Sequence, residues 1–389
     1  MPLSRRSFVS VLSGAGAGVA AGAITWRGHE PLLAQAPVQG AAARRADRLL
    51  AAQPGMIRID SNENPYGAGD RVFGVIRRHL SASNRYPVRS EDALTAAIAQ
   101  VHGIRAENVI LGTGSGELLR AAVSAFCSRE RALVSPDPTF EAPASWARFI
   151  GAPVIAPRVD GDLRLDLDAM AEAGRGAGLV FLCNPNNPTA TVHSKSDVSG
   201  YAARMATVSP ATTILLDEAY HEYVDDPSYG TAIPLALANP RVIVTRTFSK
   251  VFGMAGLRIG YAVGQPATLA KVSEWLLGSN VSELSLVAAA AAVGDAPHVG
   301  EEQRRNRLGR DYTRAFFEQA GYRMAGSDAN FIMVDVRRDA KEFKQACLGK
   351  MVAVGRQFAS HPTWVRVSIG TMEEMRKATA VFRTLLAAS

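Results

Sequence analysis

The chain has 389 residues, 47% of them hydrophobic, enough for one large core and a smaller lobe. Its formal charge is +7, and Arg5, Arg6 and Arg27 against Glu30 place two of those charges within residues 1–36. With no basic stripe interleaved with aromatics, this balance excludes a nucleic-acid footprint; Cys127, Cys183 and Cys347, odd in number and without C-x-x-C spacing, give neither a disulfide framework nor a zinc site. The seven histidines lack ligand spacing such as H-E-x-x-H, so no metal is expected.

Ser4-Arg5-Arg6-Ser7-Phe8-Val9 opens the chain, followed by Val9–Ile24, apolar but rich in Gly and Ala. A basic start and a moderately apolar run read as a secretory signal over residues 1–36, too short and too weakly hydrophobic for a stable membrane span. The paired arginines resemble the twin-arginine export signal, which implies export to the periplasm. Without a working signal the protein would be cytoplasmic. Ala34-Gln35-Ala36 and Ala21-Gly22-Ala23 both offer cleavage sites.

Ala41–Leu50 reads as a short helix or linker, and Ile57–Asp60 alternates like an edge strand. Ser61-Asn62-Glu63-Asn64-Pro65-Tyr66-Gly67 is a turn-dense loop. Asn84-Arg85-Tyr86-Pro87 leads into the amphipathic stretch Asp92–Val101. Val109–Leu111 is a strand, Gly112-Thr113-Gly114-Ser115-Gly116-Glu117 a glycine-rich turn, and Leu118–Phe126 a helix. Glycines let the backbone approach an anion and a helix N-terminus adds donors, so Ser115 and Gly116 are candidate phosphate ligands. The glycine spacing is not that of a dinucleotide site.

Arg131–Val134 and Val154–Ala156 read as strands, and Leu163–Ala173 as a surface helix. Leu179–Cys183 is a continuous apolar run, hence a strand buried on both faces, ending in Asn184-Pro185-Asn186-Asn187-Pro188-Thr189-Ala190. Prolines keep that loop non-helical. Thr213–Leu216 is another buried strand, ending in Asp217-Glu218-Ala219-Tyr220. A carboxylate at the end of a buried strand needs a partner.

After the strand Val242–Val244 comes Thr245–Gly260, with Thr247, Ser249, Lys250 and Arg258. Hydroxyls and an arginine make a phosphate site, and a lysine beside it can condense with an aldehyde on the same ligand. Pyridoxal 5′-phosphate (PLP) offers both groups. A protonated pyridine nitrogen would be a partner for Asp217, and Asn187 and Tyr220 carry groups able to hydrogen-bond the phenolic oxygen. Further on, Ile259–Val263 reads as an antiparallel strand, with helices over Ala267–Leu277, Ser285–Val293 and Gln303–Ala320. Ala329–Val334, Val352–Arg356 and Trp364–Thr371 form a small sheet, closed by the helix Glu373–Leu386.

The lysine stretch and the motifs ordered before it resemble the class I/II aminotransferases, and most nearly the histidinol-phosphate aminotransferases. The resemblance runs from about Ile57 to the C-terminus. It implies an α/β fold of PLP fold-type I, with a mostly parallel central sheet in a large domain. The implied division is an N-terminal arm and part of the small domain at residues 37–85, the large domain at 86–285 and the small C-terminal domain at 286–389.

The same resemblance places Tyr66 over the substrate and sends Tyr86 across a homodimer interface to the partner's cofactor phosphate. Arg366 clamps the substrate α-carboxylate, and Arg356 lies near the position for a distal phosphate. Three positions depart from the family: Gly116 stands where an acid is usual, Ala190 where glycine is usual, and Pro143 where an aromatic stacks on the ring. Phe140 or Trp146 would take over the stacking, and alanine at 190 is tolerable if that position does not need positive φ. The implied reaction transfers an amino group between an amino acid or amino-alcohol phosphate and a 2-oxo acid such as 2-oxoglutarate. A decarboxylase or lyase of the threonine-phosphate decarboxylase type is the alternative.

Overall fold

In the computed structural model, residues 53–387 are described; the arginine pair and Ala41–Leu50 lie outside the described residues. The chain enters through β1 (Ile57–Ile59), crosses the turn-dense loop, and forms α1 (Asp70–His79) and α2 (Val88–His102). β2 (Val109–Gly112) then turns directly into α3 (Ser115–Phe126). Helix α3 starts at Ser115 rather than Leu118 because Gly114, at φ +73°, makes the sharp turn that an L side chain resists.

Next come β3 (Leu133–Val134), α4 (Ala142–Phe149), β4 (Val154–Ile155) and α5 (Leu167–Ala173). The last helix begins four residues later than the sequence reading: Leu163 sits at φ +62°, and Asp166 caps the helix by accepting from the Ala169 N–H. β5 (Leu179–Cys183), α6 (Lys195–Val208), β6 (Thr213–Asp217), α7 (Ile233–Ala238) and β7 (Val242–Thr247) continue the α/β alternation. β8 (Gly260–Val263) pairs antiparallel with both β7 and β2, as its position after a short connection allows.

These strands make a seven-stranded sheet in the order β2-β8-β7-β6-β5-β3-β4, in which β8 alone runs against the rest. Its central strands are apolar on both faces. Val180 and Leu182 join one core, while Leu179, Phe181 and Cys183 join the other.

Helices α8 (Pro266–Ser273), α9 (Glu283–Ala292) and α10 (Ala296–Gln319) lead to β9 (Phe331–Asp335), α11 (Ala340–Leu348), β10 (Val352–Val354), β11 (Trp364–Ser368) and α12 (Met372–Ala387). The expected boundary at residues 285/286 falls inside α9, which packs on α1 and α2. β1 pairs in parallel with β10, and β11 pairs antiparallel with β9. Ile59 therefore shares a core with Ile332, Val354, Val367 and Phe382, which anchors the start of the described chain to its end.

Candidate active site

Most of the chemistry-bearing residues lie at or just beyond the C-terminal ends of adjacent parallel strands, where open α/β sheets bind ligands. β5 delivers Asn187, β6 delivers Asp217 and Tyr220, and β7 delivers Thr247, Ser249 and Lys250. The N-terminus of α3 brings Ser115, and β11 brings Arg366.

Burial and a neighbouring cation set the state of Lys250. Burial, then the Arg366 guanidinium, lower its pKa to about 8. Its Nζ donates to the Asn62 carbonyl at 3.0 Å and lies 5.4 Å from the Tyr220 ring centre. Burial also raises the Asp217 carboxyl to about 6, against the opposing hydrogen bond from Thr245 and the charge of Lys250. Asp217 Oδ1 accepts from Thr245 Oγ1 at 3.0 Å. The next acid, Glu218, is already engaged: it takes the Arg246 Nε at 2.8 Å, the Thr231 hydroxyl at 2.8 Å and the Ala232 N–H at 2.6 Å. Of the two adjacent carboxylates, Asp217 is thus the one left for a ligand.

Tyr220 is buried, which pushes its phenol pKa up despite the Arg366 charge and the Asn62 hydrogen bond. Its hydroxyl receives Asn187 Nδ2 at 3.3 Å and Asn62 Nδ2 at 3.1 Å. Arg366 donates from Nη1 to Asn187 Oδ1 at 2.7 Å and from Nη2 to the Asp60 carbonyl at 2.6 Å, while its buried Nε has no partner. Burial lowers the Arg366 pKa, so an incoming anion would compensate a cation that is poorly solvated.

A second cluster forms at the start of α3. Arg258 Nη1 reaches Ser249 Oγ at 3.4 Å, and the Ser249 N–H donates to Thr247 Oγ1 at 3.1 Å. A Cβ on Gly114 would lie 2.3 Å from Arg258 Nη2, and one on Gly260 would lie 2.4 Å from the Ser115 nitrogen. Gly116 faces open space. The next residue, Glu117, accepts from the Thr113 N–H at 2.6 Å and from Asn280 Nδ2 at 2.5 Å.

Other assignments are placed differently. Ala190 has φ +58° and is fully buried, so this position does take the positive φ at which alanine is strained; its N–H and carbonyl are held by the Asn186 carbonyl and the Asp328 N–H. Trp146 stacks on Phe149 and donates to Ser124, and Phe140 packs with the core under α3. Tyr66 lies beneath Arg305, 4.5 Å from ring centre to guanidinium. Arg356 lies outside the cluster around Lys250, paired with Glu141 and over the Phe358 ring. Tyr86 is 85% exposed and belongs to neither cluster of its own chain.

Sequence reasoning missed Asn62, Ser368 and Asn330. Asn62, at φ +55°, is bonded to Tyr220, Lys250, Asn330 and Ser368. Its signal was modest: an asparagine in a tight turn, the residue type that best tolerates left-handed backbone after glycine.

The strand order and the placement of these residues define a fold-type I transferase. A solved histidinol-phosphate aminotransferase from Sinorhizobium meliloti, in complex with pyridoxal-5′-phosphate, shares this fold with a TM-score of 0.83, at 24% identity over 94% of this chain and 99% of that one. The family model for aminotransferase class I and II matches residues 54–382, and the chain belongs to that family. It is similar to the histidinol-phosphate aminotransferase of Symbiobacterium thermophilum, at 35% identity over 85% of this chain and 91% of that protein. The corresponding protein of Moorella thermoacetica is 34% identical over 85% and 86% respectively.

Proposed function

We propose that the protein is a PLP-dependent aminotransferase acting between an amino donor of the histidinol-phosphate type, or an amino acid, and a 2-oxo acid such as 2-oxoglutarate. The observation that carries this reading is the convergence of Lys250, Asp217, Tyr220, Asn187 and Arg366 in one buried site. The donor set fits PLP. Ser115, Thr247, Ser249 and Arg258, with the α3 N-terminus, suit a phosphate dianion. Asp217 suits a protonated ring nitrogen, and Lys250 an aldehyde.

When bound, PLP supplies the aldehyde for covalent capture of amino groups and a ring that withdraws electrons from the substrate Cα. Asp217 holds the proton on the ring nitrogen. Asn187 and Tyr220 orient the ring through its phenolic oxygen. Arg366 binds the substrate α-carboxylate through its guanidinium, fixing which face of Cα meets Lys250. Lys250 takes the proton from Cα. In the ligand-free site, burial and the Arg366 charge lower its pKa to about 8, which favours the neutral amine that proton removal requires. Arg356 is the candidate for a distal substrate phosphate, which would take the place of Glu141. Tyr66 faces the substrate, and Tyr86 serves the partner's phosphate site in a homodimer.

Residues 1–36 are read as a twin-arginine-type export signal. Among the described residues no helix is long and apolar enough to cross a membrane.

The test uses purified protein. A visible absorption band lost on borohydride treatment is expected, followed by band shifts with individual amino donors and formation of keto product. No such band overturns the cofactor reading; carbon dioxide in place of keto product identifies a decarboxylase instead.

A further inference from the structure

Two buried amides meet on the Tyr220 hydroxyl, and each is oriented from behind. Ser368 Oγ accepts the Asn62 N–H at 2.9 Å, so its own proton goes to Asn62 Oδ1 at 2.7 Å. That contact turns the Asn62 Nδ2 group toward Tyr220, at 3.1 Å. Arg366 carries donors alone, and its Nη1 at 2.7 Å from Asn187 Oδ1 likewise turns Asn187 Nδ2 toward Tyr220, at 3.3 Å. A phenol oxygen accepts two hydrogen bonds and donates one. With both acceptor positions taken, the Tyr220 proton is left to donate elsewhere.

The arrangement is held firmly. Asn62, Asn187, Tyr220 and Ser368 are all buried, where an unmet polar group is costly. The Asn62 backbone is fixed by Asn330 Nδ2 on its carbonyl at 3.0 Å, a bond that does not depend on Lys250. If the Asn62 amide were flipped, the Ser368 hydroxyl would face an NH₂ group and lose its acceptor.

We propose that Asn62, oriented by Ser368, is a positioning residue that commits the Tyr220 phenol to act as a hydrogen-bond donor toward the phenolic oxygen of PLP. This rests on the cofactor reading above. Asn187 Nδ2 has a second N–H for the same ring oxygen while its first stays on Tyr220, so Asn62 and Asn187 together keep the Tyr220 proton directed outward.

The experiment follows the pH midpoint of the visible band of the lysine-linked cofactor in the holoenzyme. A donor on the ring oxygen stabilises its ionised form, so losing it moves the midpoint upward. Asn62→Asp replaces the amide with a group that accepts the Tyr220 proton, and a rise of about one pH unit is expected. Ser368→Ala frees the amide to flip without adding charge; a smaller rise, about half a unit, is expected. Ser368→Thr keeps the hydroxyl and should return the midpoint to the wild-type value. A role in packing alone would lower thermal stability in Ser368→Ala without moving the midpoint. Because the charge of Asn62→Asp can move the midpoint by itself, a normal wild-type band whose midpoint stays put in Ser368→Ala overturns this proposal alone. Absence of the band in the wild type overturns the cofactor reading, and this proposal with it.

Discussion

Replacing Lys250 by methionine should make the cofactor-free protein more stable at neutral pH. The lysine pKa falls from 10.5 to about 8 because burial, and then the Arg366 charge, disfavour the ammonium. A folded pKa below the unfolded value means that folding of the protonated form is penalised. The penalty is full below pH 8 and fades as the pH rises toward 10.5. At pH 7 the full shift corresponds to about 3 kcal/mol. Partial exposure of the side chain reduces that figure, and the variant forfeits the hydrogen bond to the Asn62 carbonyl, worth about 1 kcal/mol. Asp217 also loses a nearby cation. The net expectation is a gain of about 1–2 kcal/mol at pH 7. Urea unfolding of both apoproteins at one protein concentration reads it as a higher midpoint. The advantage should shrink by about pH 10, where the unfolded lysine also begins to lose its proton. A variant no more stable than wild type at pH 7, or an advantage undiminished at high pH, would refute the electrostatic reasoning.

Asp217→Asn should fold and transaminate at least about a hundredfold more slowly, since an amide does not hold the ring nitrogen protonated; wild-type rates in single-turnover assays would remove that role. Gly253→Ala should lower the thermal midpoint markedly, because its Cβ would lie 2.1 Å from the Gly67 carbonyl carbon and φ is +66°; an unchanged melt would show that the Gly67 turn yields. Mixing inactive Lys250→Ala with an impaired Tyr86→Phe under subunit exchange should restore part of the activity, one heterodimer site holding both native residues; no recovery with verified exchange would deny Tyr86 a role across the interface. A reporter fused to residues 1–40 should leave the cytoplasm and be retained when Arg5 and Arg6 become lysine; retention with native arginines would show that the segment does not export.

The legible part of this protein was local. Leu179–Cys183, Ile214–Leu216 and Val242–Val244 are uninterrupted apolar runs, and each lies in a central strand with polar residues directly after the run. That pattern exposed Asn187, Asp217, Tyr220 and Lys250. What stayed hidden depends on tertiary meetings. Asn62 and Ser368 are 306 positions apart, and nothing near either residue announces the other. The Glu141 partner of Arg356 and the engagement of Glu218 by Arg246 are hidden for the same reason. Backbone sign was the other blind spot. Ala190 and Leu163 take positive φ, where the chain's local cost of roughly 1–2 kcal/mol is met by surrounding contacts rather than by residue type.

The parallel pairing of β1 with β10 has a consequence for how this chain matures. During synthesis the residues of the central sheet and Lys250 emerge well before β10, so a large hydrophobic fold can gather while β1 still lacks its neighbour. Closing that pair joins segments separated by nearly the whole described length, the kind of late, non-local step that slows folding. Arg366 and Ser368 arrive later still, on β11. A nascent chain halted before Trp364 would carry the lysine without the Arg366 guanidinium that bonds the Asp60 carbonyl, and its turn-dense loop would be without the Ser368 hydroxyl on Asn62. The cluster around Lys250 is therefore completed only once β11 has emerged, and a cell that handles this protein meets, until then, a chain with its central sheet made and that cluster still open.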